Sequence, residues 1–467
     1  MFGKEQRIQK TSQEGYLSKK VVNPLRAVKV YSSSSVQTTN EIFQNQTVCL
    51  MEKIVERANM KNALRRVELN KGAPGVDGMR VEELREYLKK NGERFREQLL
   101  NGTYQPMPVR RVEISKPDGG MRMLGIPAVL DRLIQQAILQ VLQYHYDPTF
   151  SNYSYGFRPN RSARNAIKQA QRYVKEGYNI VVDIDLEKFF DKVNHDKLMS
   201  KLSKKIGDKR LLWLIRKYLT AGIMQDGCIV KTERGTPQGG PLSPLLSNIV
   251  LDELDSELEK RGHKFVRYAD DCNIYVKSIR AGRRVMQSVQ KFVESKLKLK
   301  VNTNKSAVGR PWKRKFLGIS FMTDKRKRIR IAPKSLKRVK ETIRKLTRKS
   351  WSISMEERIN KIRSYLIGWI NYFRVIQTPS IFENLDGWIR RRLRACLLKQ
   401  WKNPRTVKRN FISLGLTKDQ AARIAYSRKG IWRSALTQQT HFVLGIKFWR
   451  KLGLISLKER YFEFVKV

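Results

Sequence analysis

The sequence predicts an α+β body, then an all-helical region, then a small basic terminal segment. Three observations carry this. Between residues 106 and 330, short β-branched runs alternate with amphipathic helices but without the strand–helix–strand rhythm of a parallel sheet. From Pro333 onward the apolar residues recur with helical period alone. Residues 405–467 carry fourteen basic and three acidic side chains, interleaved with Tyr426, Trp432, Phe448, Trp449 and Tyr461, which suggests a folded unit.

Taken in order, residues 1–40 are polar, basic and serine-rich, and read as a flexible basic arm with no apolar core of a secretory signal. Leu50, Ile54, Val55, Ala58 and Leu64 predict helix within 41–105, interrupted by the glycine-rich stretch Gly72–Gly78. Val109–Ser115, Ile180–Asp185, Val266–Tyr268 with Cys272–Val276, and Ile329–Ile331 read as strands. Asp131–Tyr146, Arg161–Glu176 and Leu245–Arg261 read as helices. Leu336, Val339, Ile343 and Leu346 form one helical stripe. Ser354 and Glu357 predict a capping box for the next helix, which bears Ile359, Ile362, Leu366, Trp369, Ile370 and Phe373. A third helix spans Ile381–Trp401 and carries Arg390, Arg391, Arg392 and Arg394.

Composition narrows the partners. Lys and Arg number 96 against 42 Asp and Glu, a formal charge of +54 over 467 residues. So basic a chain calls for a polyanion. The charge is spread along the whole length, which favours nucleic acid over a membrane surface. No run approaches the ~18 apolar residues of a membrane span. Cys49, Cys228, Cys272 and Cys396 are too far apart for a zinc finger or knuckle, and no disulfide framework is expected, so the compartment reads as reducing.

The chemistry lies in two acidic motifs. Strand alternation puts Asp183 and Asp185 on one face. Phe265–Val276 reads as two strand pieces flanking Asp270-Asp271 at a tight turn. Carboxylates so placed can hold two divalent ions, ~3.5–4 Å apart, that activate a hydroxyl and stabilise a leaving pyrophosphate. A plain hairpin turn, where Asp is favoured, is the equal alternative for Asp270-Asp271 taken alone.

The neighbouring motifs shift that balance. Tyr268-Ala269-Asp270-Asp271 resembles the signature box of reverse transcriptases, and Asp185-Leu186-Glu187-Lys188-Phe189-Phe190-Asp191 resembles their first carboxylate motif. Thr236–Pro244 resembles the template- and nucleotide-facing loop. Lys116–Arg122 with Leu124–Pro127 resembles the segment that grips the triphosphate. Leu299–Asn302 with Lys305-Ser306, and Phe316-Leu317-Gly318, resemble the two late motifs in order. Tyr365-Leu366, Gly368–Phe373, Trp388–Arg394 and Lys399–Lys402 resemble the maturase-specific region of group II intron-encoded proteins. The resemblance covers about residues 45–465, and with no Cys after Cys396 it is to the bacterial type lacking a C-terminal endonuclease domain.

The resemblance implies a right-hand polymerase fold. Its parts would be an N-terminal extension and fingers over 41–165, a palm over 166–330, a helical thumb over 331–403 and a basic DNA- or RNA-binding segment over 404–467. Asp185, Asp270 and Asp271 would be catalytic and would bind two Mg2+ ions, with Mn2+ as a substitute. Lys116, Arg122, Phe190, Gln238 and Gly239 would bind the nucleotide, with Phe190 under the sugar. Lys305 is a candidate proton donor, with an ordinary basic loop residue as the plainer reading. Arg390, Arg391, Arg392, Arg394, Arg428 and Lys429 would contact nucleic acid. The implied activity is RNA-directed DNA polymerisation with intron binding, assistance to splicing and retrohoming. Implied partners are group II intron RNA, an RNA template with DNA primer, target DNA and deoxynucleoside triphosphates, with no membrane. The expected location is a cytoplasmic ribonucleoprotein, bacterial or organellar. A reverse transcriptase adopted by a host for DNA repair or defence, and a maturase active only in splicing, remain as alternatives.

Overall fold

The computed structural model describes residues 49–115, 120–225, 228–230, 235 and 239–465; the arm over 1–40 lies outside them. Three helices lead in: α1 (Leu50–Val55), α2 (Arg57–Asn70) and α3 (Leu84–Leu100). A hairpin follows, β1 (Val109–Ser115) with β2 (Met121–Ile126), and then α4 (Val129–Tyr146), which is buried on most of its surface. Next come α5 (Ala163–Lys175), β3 (Ile180–Ile184), α6 (Phe189–Lys192), α7 (His195–Ser203), α8 (Lys209–Thr220), β4 (Ile223–Gln225) and β5 (Cys228–Val230). The long helix α9 (Ser243–Lys260) leads into β6 (Lys264–Tyr268), β7 (Asp271–Val276) and α10 (Ile279–Phe292), and β8 (Ala307–Gly309), β9 (Ile319–Phe321) and β10 (Ile329–Ile331) close the mixed region.

The strands form a central antiparallel sheet in the order β6-β7-β3-β8, an outer sheet β2-β1-β4-β5, and a ribbon β9-β10. Period-two alternation divides the central sheet between two cores. Ile180, Val182 and Ile184 of β3, with Cys272, Ile274 and Val276 of β7, face the first core beside α4, α8 and α9. Val181, Val266 and Tyr275 face the second, which runs on through α5 and the ribbon into the helical region. Each buried Val, Ile or Leu contributes about 1.5–3 kcal/mol. A register slip of one residue would therefore expose one set and bury the other.

The helical region comprises α11 (Pro333–Leu346), α12 (Met355–Phe373) and α13 (Ser380–Gln400). Val339 and Ile343 pack with Ile359, Ile362, Leu366, Ile370 and Phe373, and with Phe382, Leu385, Ile389 and Leu393, as the helical period predicts. Only half of the expected capping box forms: Ser354 accepts from the Glu357 amide at 3.0 Å, while the Glu357 carboxylate pairs with Lys361 at 3.3 Å. Six short helices finish the chain: α14 (Pro404–Ser413), α15 (Lys418–Ala425), α16 (Ile431–Ser434), α17 (Gln438–Val443), α18 (Ile446–Lys451) and α19 (Leu457–Val465). Phe411, Leu444, Trp449, Leu457 and Tyr461 join the same core as α12 and α13, and Tyr461 donates to the Ile376 carbonyl at 2.8 Å. Residue 404 thus marks no break in packing. No helix among the described residues is long and apolar enough to cross a membrane.

Candidate active site

The register of β3 on β7 pairs Asp183 with Asn273 and Ile184 with Cys272, so the next step sets Asp185 across from Asp271. Alternation puts all four polar side chains on one face, at the open end of the second core. Asp270 sits in the turn between β6 and β7, after Ala269 in the left-handed region at φ 59°. Burial pushes the Asp271 carboxyl well up, and repulsion from Asp183, Asp270 and Asp185 acts the same way.

Two cations partly offset this charge. Arg314 donates to Asp183 at 2.6 and 3.1 Å and to the Lys305 carbonyl at 2.9 Å. Asp183 is therefore held by a guanidinium, whereas Asp185 meets the exposed Lys305 ammonium at 3.7 Å. The Lys305 turn is fixed to β3 by backbone contacts: Asn302 N–H donates to the Asp185 carbonyl at 2.8 Å and Asp185 N–H to Ser306 Oγ at 3.0 Å.

Beneath the turn lies a cluster that the sequence motifs do not reveal. Arg267 of β6 is fully buried and makes five hydrogen bonds. They run to Asp255 of α9 at 2.7 and 2.5 Å, to Asn248 Oδ1 and the Ala269 carbonyl at 3.0 Å each, and to Ser154 Oγ at 2.8 Å. Asn248 in turn donates to the Gly156 carbonyl at 2.9 Å. Gly156 presses its backbone against the turn, where a Cβ would lie 2.3 Å from the Ala269 nitrogen. The available signal was a charged residue at a core-facing position of β6, one place after buried Val266.

On the other side of the carboxylates, β3 has ended. Phe189–Lys192 form a helical turn entered through Lys188 at φ 48°, so strand alternation does not separate Phe189 from Phe190. Burial separates them instead: Phe189 is 2% exposed within the first core, and Phe190 is half-buried beside it with ring centres 5.2 Å apart. Gly235 packs on the Phe190–Asp191 backbone, and its carbonyl bonds His195 Nε2 at 2.6 Å. Gly239, at φ 131°, comes so close to β2 that a Cβ would lie 2.4 Å from the Gly125 carbonyl oxygen. Arg122 pairs with Ile114 in the β1–β2 hairpin. Lys116 and Gln238 lie outside the described residues. The structure thus gathers Asp185, Asp270, Asp271 and Lys305 and brings Gly239 onto the strand that carries Arg122.

The six residues expected to contact nucleic acid separate into two sorts. Arg428 and Lys429 are exposed. Arg391, Arg392 and Arg394 do not form the exposed patch that the run suggests, because α13 turns them toward neighbouring helices. Arg391 donates to the Trp432 carbonyl at 3.0 Å and stacks 3.8 Å from that ring's centre. Arg392 bonds Thr347 at the end of α11, and Arg394 is buried. Arg390 is half-buried. At the C-terminus of α12, Trp369 and Phe373 are core, while Tyr372 donates to the Leu317 carbonyl at 2.9 Å and comes within electrostatic reach of Asp271.

Residues 114–321 match the family model for reverse transcriptase (RNA-dependent DNA polymerase), and residues 336–412 match the model for the group II intron maturase-specific domain. Protein YkfC of Escherichia coli (strain K12) is 33% identical over 299 residues, 56% of this chain and 78% of that protein. The chain belongs to the group II intron reverse transcriptase–maturase family. Group II intron-encoded protein LtrA of Lactococcus lactis subsp. cremoris is 44% identical over 170 residues, which span 36% of this reverse transcriptase and 28% of LtrA. A chain of a solved Cas6-RT-Cas1–Cas2 complex is 26% identical with a TM-score of 0.35, covering 52% of this chain and 42% of that one. The matched domain makes this family member an RNA-directed DNA polymerase, and the maturase domain that follows assists splicing.

Reverse transcriptases use divalent metal ions. The site fits such an ion: hard carboxylate oxygens cluster here, and burial together with their repulsion raises Asp271. Among the described residues no three Asp, Glu, His or Cys side chains form a ready-made cage.

Proposed function

We propose that the protein binds its parent group II intron RNA, assists its splicing, and copies it into DNA during retrohoming, acting as a cytoplasmic ribonucleoprotein. On this reading residues 41–165 form the N-terminal extension and fingers, 166–330 the palm, 331–403 the thumb and 404–467 a nucleic-acid-binding segment. The observation that carries it is Asp185 facing Asp271 across β3 and β7, with Asp270 in the adjoining turn, immediately ahead of a maturase domain.

Asp185, Asp270 and Asp271 hold two Mg2+ ions, and Mn2+ can replace them. The ions supply Lewis-acid activation of a primer 3′-hydroxyl and charge neutralisation at the leaving pyrophosphate. The protein's own groups set the geometry. Arg314 pairs with Asp183, while Asp185 lies across from Asp271 and beside the exposed Lys305 ammonium. Lys116 and Arg122 bind the triphosphate of the deoxynucleotide, a point charge beside a fork. Gln238 and Gly239 face the new base pair, and the Phe190 ring lies under the sugar. Lys305 carries a proton toward the leaving pyrophosphate.

The test is Asp270→Ala with Asp271→Ala in the full chain. Primer extension on an RNA template in magnesium should be lost, while filter binding of the intron RNA stays within about threefold, because phosphate contacts elsewhere supply the affinity. Splicing assistance should survive with it. Extension at the wild-type rate would refute the assignment of the site. Extension absent from the wild-type protein itself would leave a splicing-only maturase.

A further inference from the structure

Far along the chain from the carboxylates, α13 and the C-terminal helices enclose a groove of about 730 Å³. Arg390, Arg391 and Arg394 line it from α13, and Phe442, Ile446 and Lys447 line it from α17 and α18. Arg394 is 3% exposed, its Nε has no partner, and it forms no hydrogen bond or ion pair with any described residue. Its neighbour Arg391 is held by Trp432.

Among the described residues, the two carboxylates near the cluster both have other partners, and neither pairs with Arg394. Glu383 at the rim pairs with Lys458 at 3.0 Å. Asp386, which faces Arg390, accepts from Ser456 Oγ and from the amides of Leu457 and Lys458 at 2.8–3.1 Å. Burial, with repulsion from Arg390 and Arg391, brings Arg394 down to about 10. Burial and the same arginines hold the nearby His441 imidazole below its ordinary value. A buried cation without a partner is costly, and an anion relieves that cost. The rim supplies a second kind of contact: Phe442 is 79% exposed and Ile446 is 53% exposed. Guanidiniums beside a free aromatic face match the phosphate and the ring of a nucleotide. A base stacked inside a duplex cannot present that ring.

We propose that this groove takes one unpaired nucleotide of a nucleic-acid strand, its phosphate against Arg390 and Arg394 and its base against Phe442. The proposal rests on the reading of the protein as one that handles intron RNA, and deepens it from general backbone affinity to a discrete single-strand site.

The experiment uses the full-length protein without nucleotides. A short oligonucleotide carrying one 4-thiouridine is cross-linked by long-wave ultraviolet light, once single-stranded, once base-paired, and once as the 4-thiothymidine DNA equivalent. Cross-links should map to residues 436–448 or Trp388 with the single-stranded probes and disappear when the probe is paired. Phe442→Ser, at an exposed position that leaves the core untouched, should weaken the unpaired probe about tenfold. Arg390→Gln and Arg394→Met should each lower the salt slope by about one, with unfolding curves run alongside. The proposal is overturned by cross-links that fall only elsewhere, by equal cross-linking of paired probe, or by variants with unchanged yield and slope. Protection of the groove by inorganic phosphate with no oligonucleotide cross-link would show a site for the free ion and overturn it too. Filter binding of the intron RNA without the groove cross-link sinks this proposal alone; the groove cross-link in a protein that does not bind the intron RNA sinks the intron reading alone.

Discussion

Replacing Arg267 by Met tests whether the cluster beneath the carboxylate turn holds the site together. Met keeps the length and the apolar stem but removes all five hydrogen bonds. Asp255, itself fully buried, would be left as an unpaired carboxylate. Breaking such a pair costs about 3–5 kcal/mol. The Asn248, Ser154 and Ala269 contacts add roughly 0.5–1.5 kcal/mol each, less whatever the site regains by relaxing. A loss of order 5 kcal/mol is then expected, against a total stability of about 5–15 kcal/mol. Urea unfolding at pH 7.5 measures it, with primer extension run at a temperature where the variant remains folded. Adding Asp255→Leu should restore about 1–4 kcal/mol, because the buried charge is gone. The polymerase rate should stay low in the double variant, since nothing then holds the Ala269 carbonyl. A single variant within 1 kcal/mol of wild type, or a double variant that polymerises normally, would refute the reasoning.

Gly156→Ala should cut the primer-extension rate by at least about tenfold with little change in RNA affinity, because its Cβ must displace the Ala269 backbone and not a flexible side chain. Phe190→Val should raise ribonucleotide incorporation, whereas Phe189→Val should mainly destabilise the first core, by about 1–3 kcal/mol in a denaturation assay. Burial raises the Asp131 carboxyl to about 6, against the hydrogen bonds it accepts from Tyr104, Met107 and Tyr218. Between its ordinary value and about 6 the folded state holds a proton that the unfolded chain has released, so this group's contribution to stability falls as pH rises through that window. Asp131→Asn should flatten the fall, of order 3 kcal/mol between pH 4 and 7, in urea unfolding across that range.

The sequence made local structure legible wherever one face is apolar and the other is not. β1 and β10 match their expected bounds because each mixes β-branched residues with charged ones over a short stretch. The helices of the C-terminal half follow their leucine and isoleucine spacing to within a residue or two. What stayed hidden depends on partners remote in sequence. Arg267 meets Asp255 twelve residues back and Ser154 a further hundred away, so nothing local marks it as interior. The run Arg390–Arg394 looked like a surface patch because charge alone was weighed. Helical phase sets Arg394 beside Leu397 and Leu398, both packed into the second core. β2 was legible only as a motif, because Met121–Ile126 contains Gly125 and has little β-branched character. Phe190 was legible only through the motif it belongs to, because its segment has already left the strand for a helical turn.

The central sheet is a party wall. Its two faces are finished by different parts of the chain, one by α4, α8 and α9 and the other by α5, whose core runs on through the β9–β10 ribbon into the helices that follow residue 333. Neither side is therefore a detachable module. Cutting the chain near residue 332 would strip the cover that Phe373, Tyr372 and Gln377 give Gly318, Leu317 and Ile329, and a helical half taken from a distant relative would bring cladding shaped for another wall. Exchange between members of this family should succeed when β3, β6 and β7 travel with the helices that cover them, and should yield aggregates when the seam is placed at the boundary of the two matched domains.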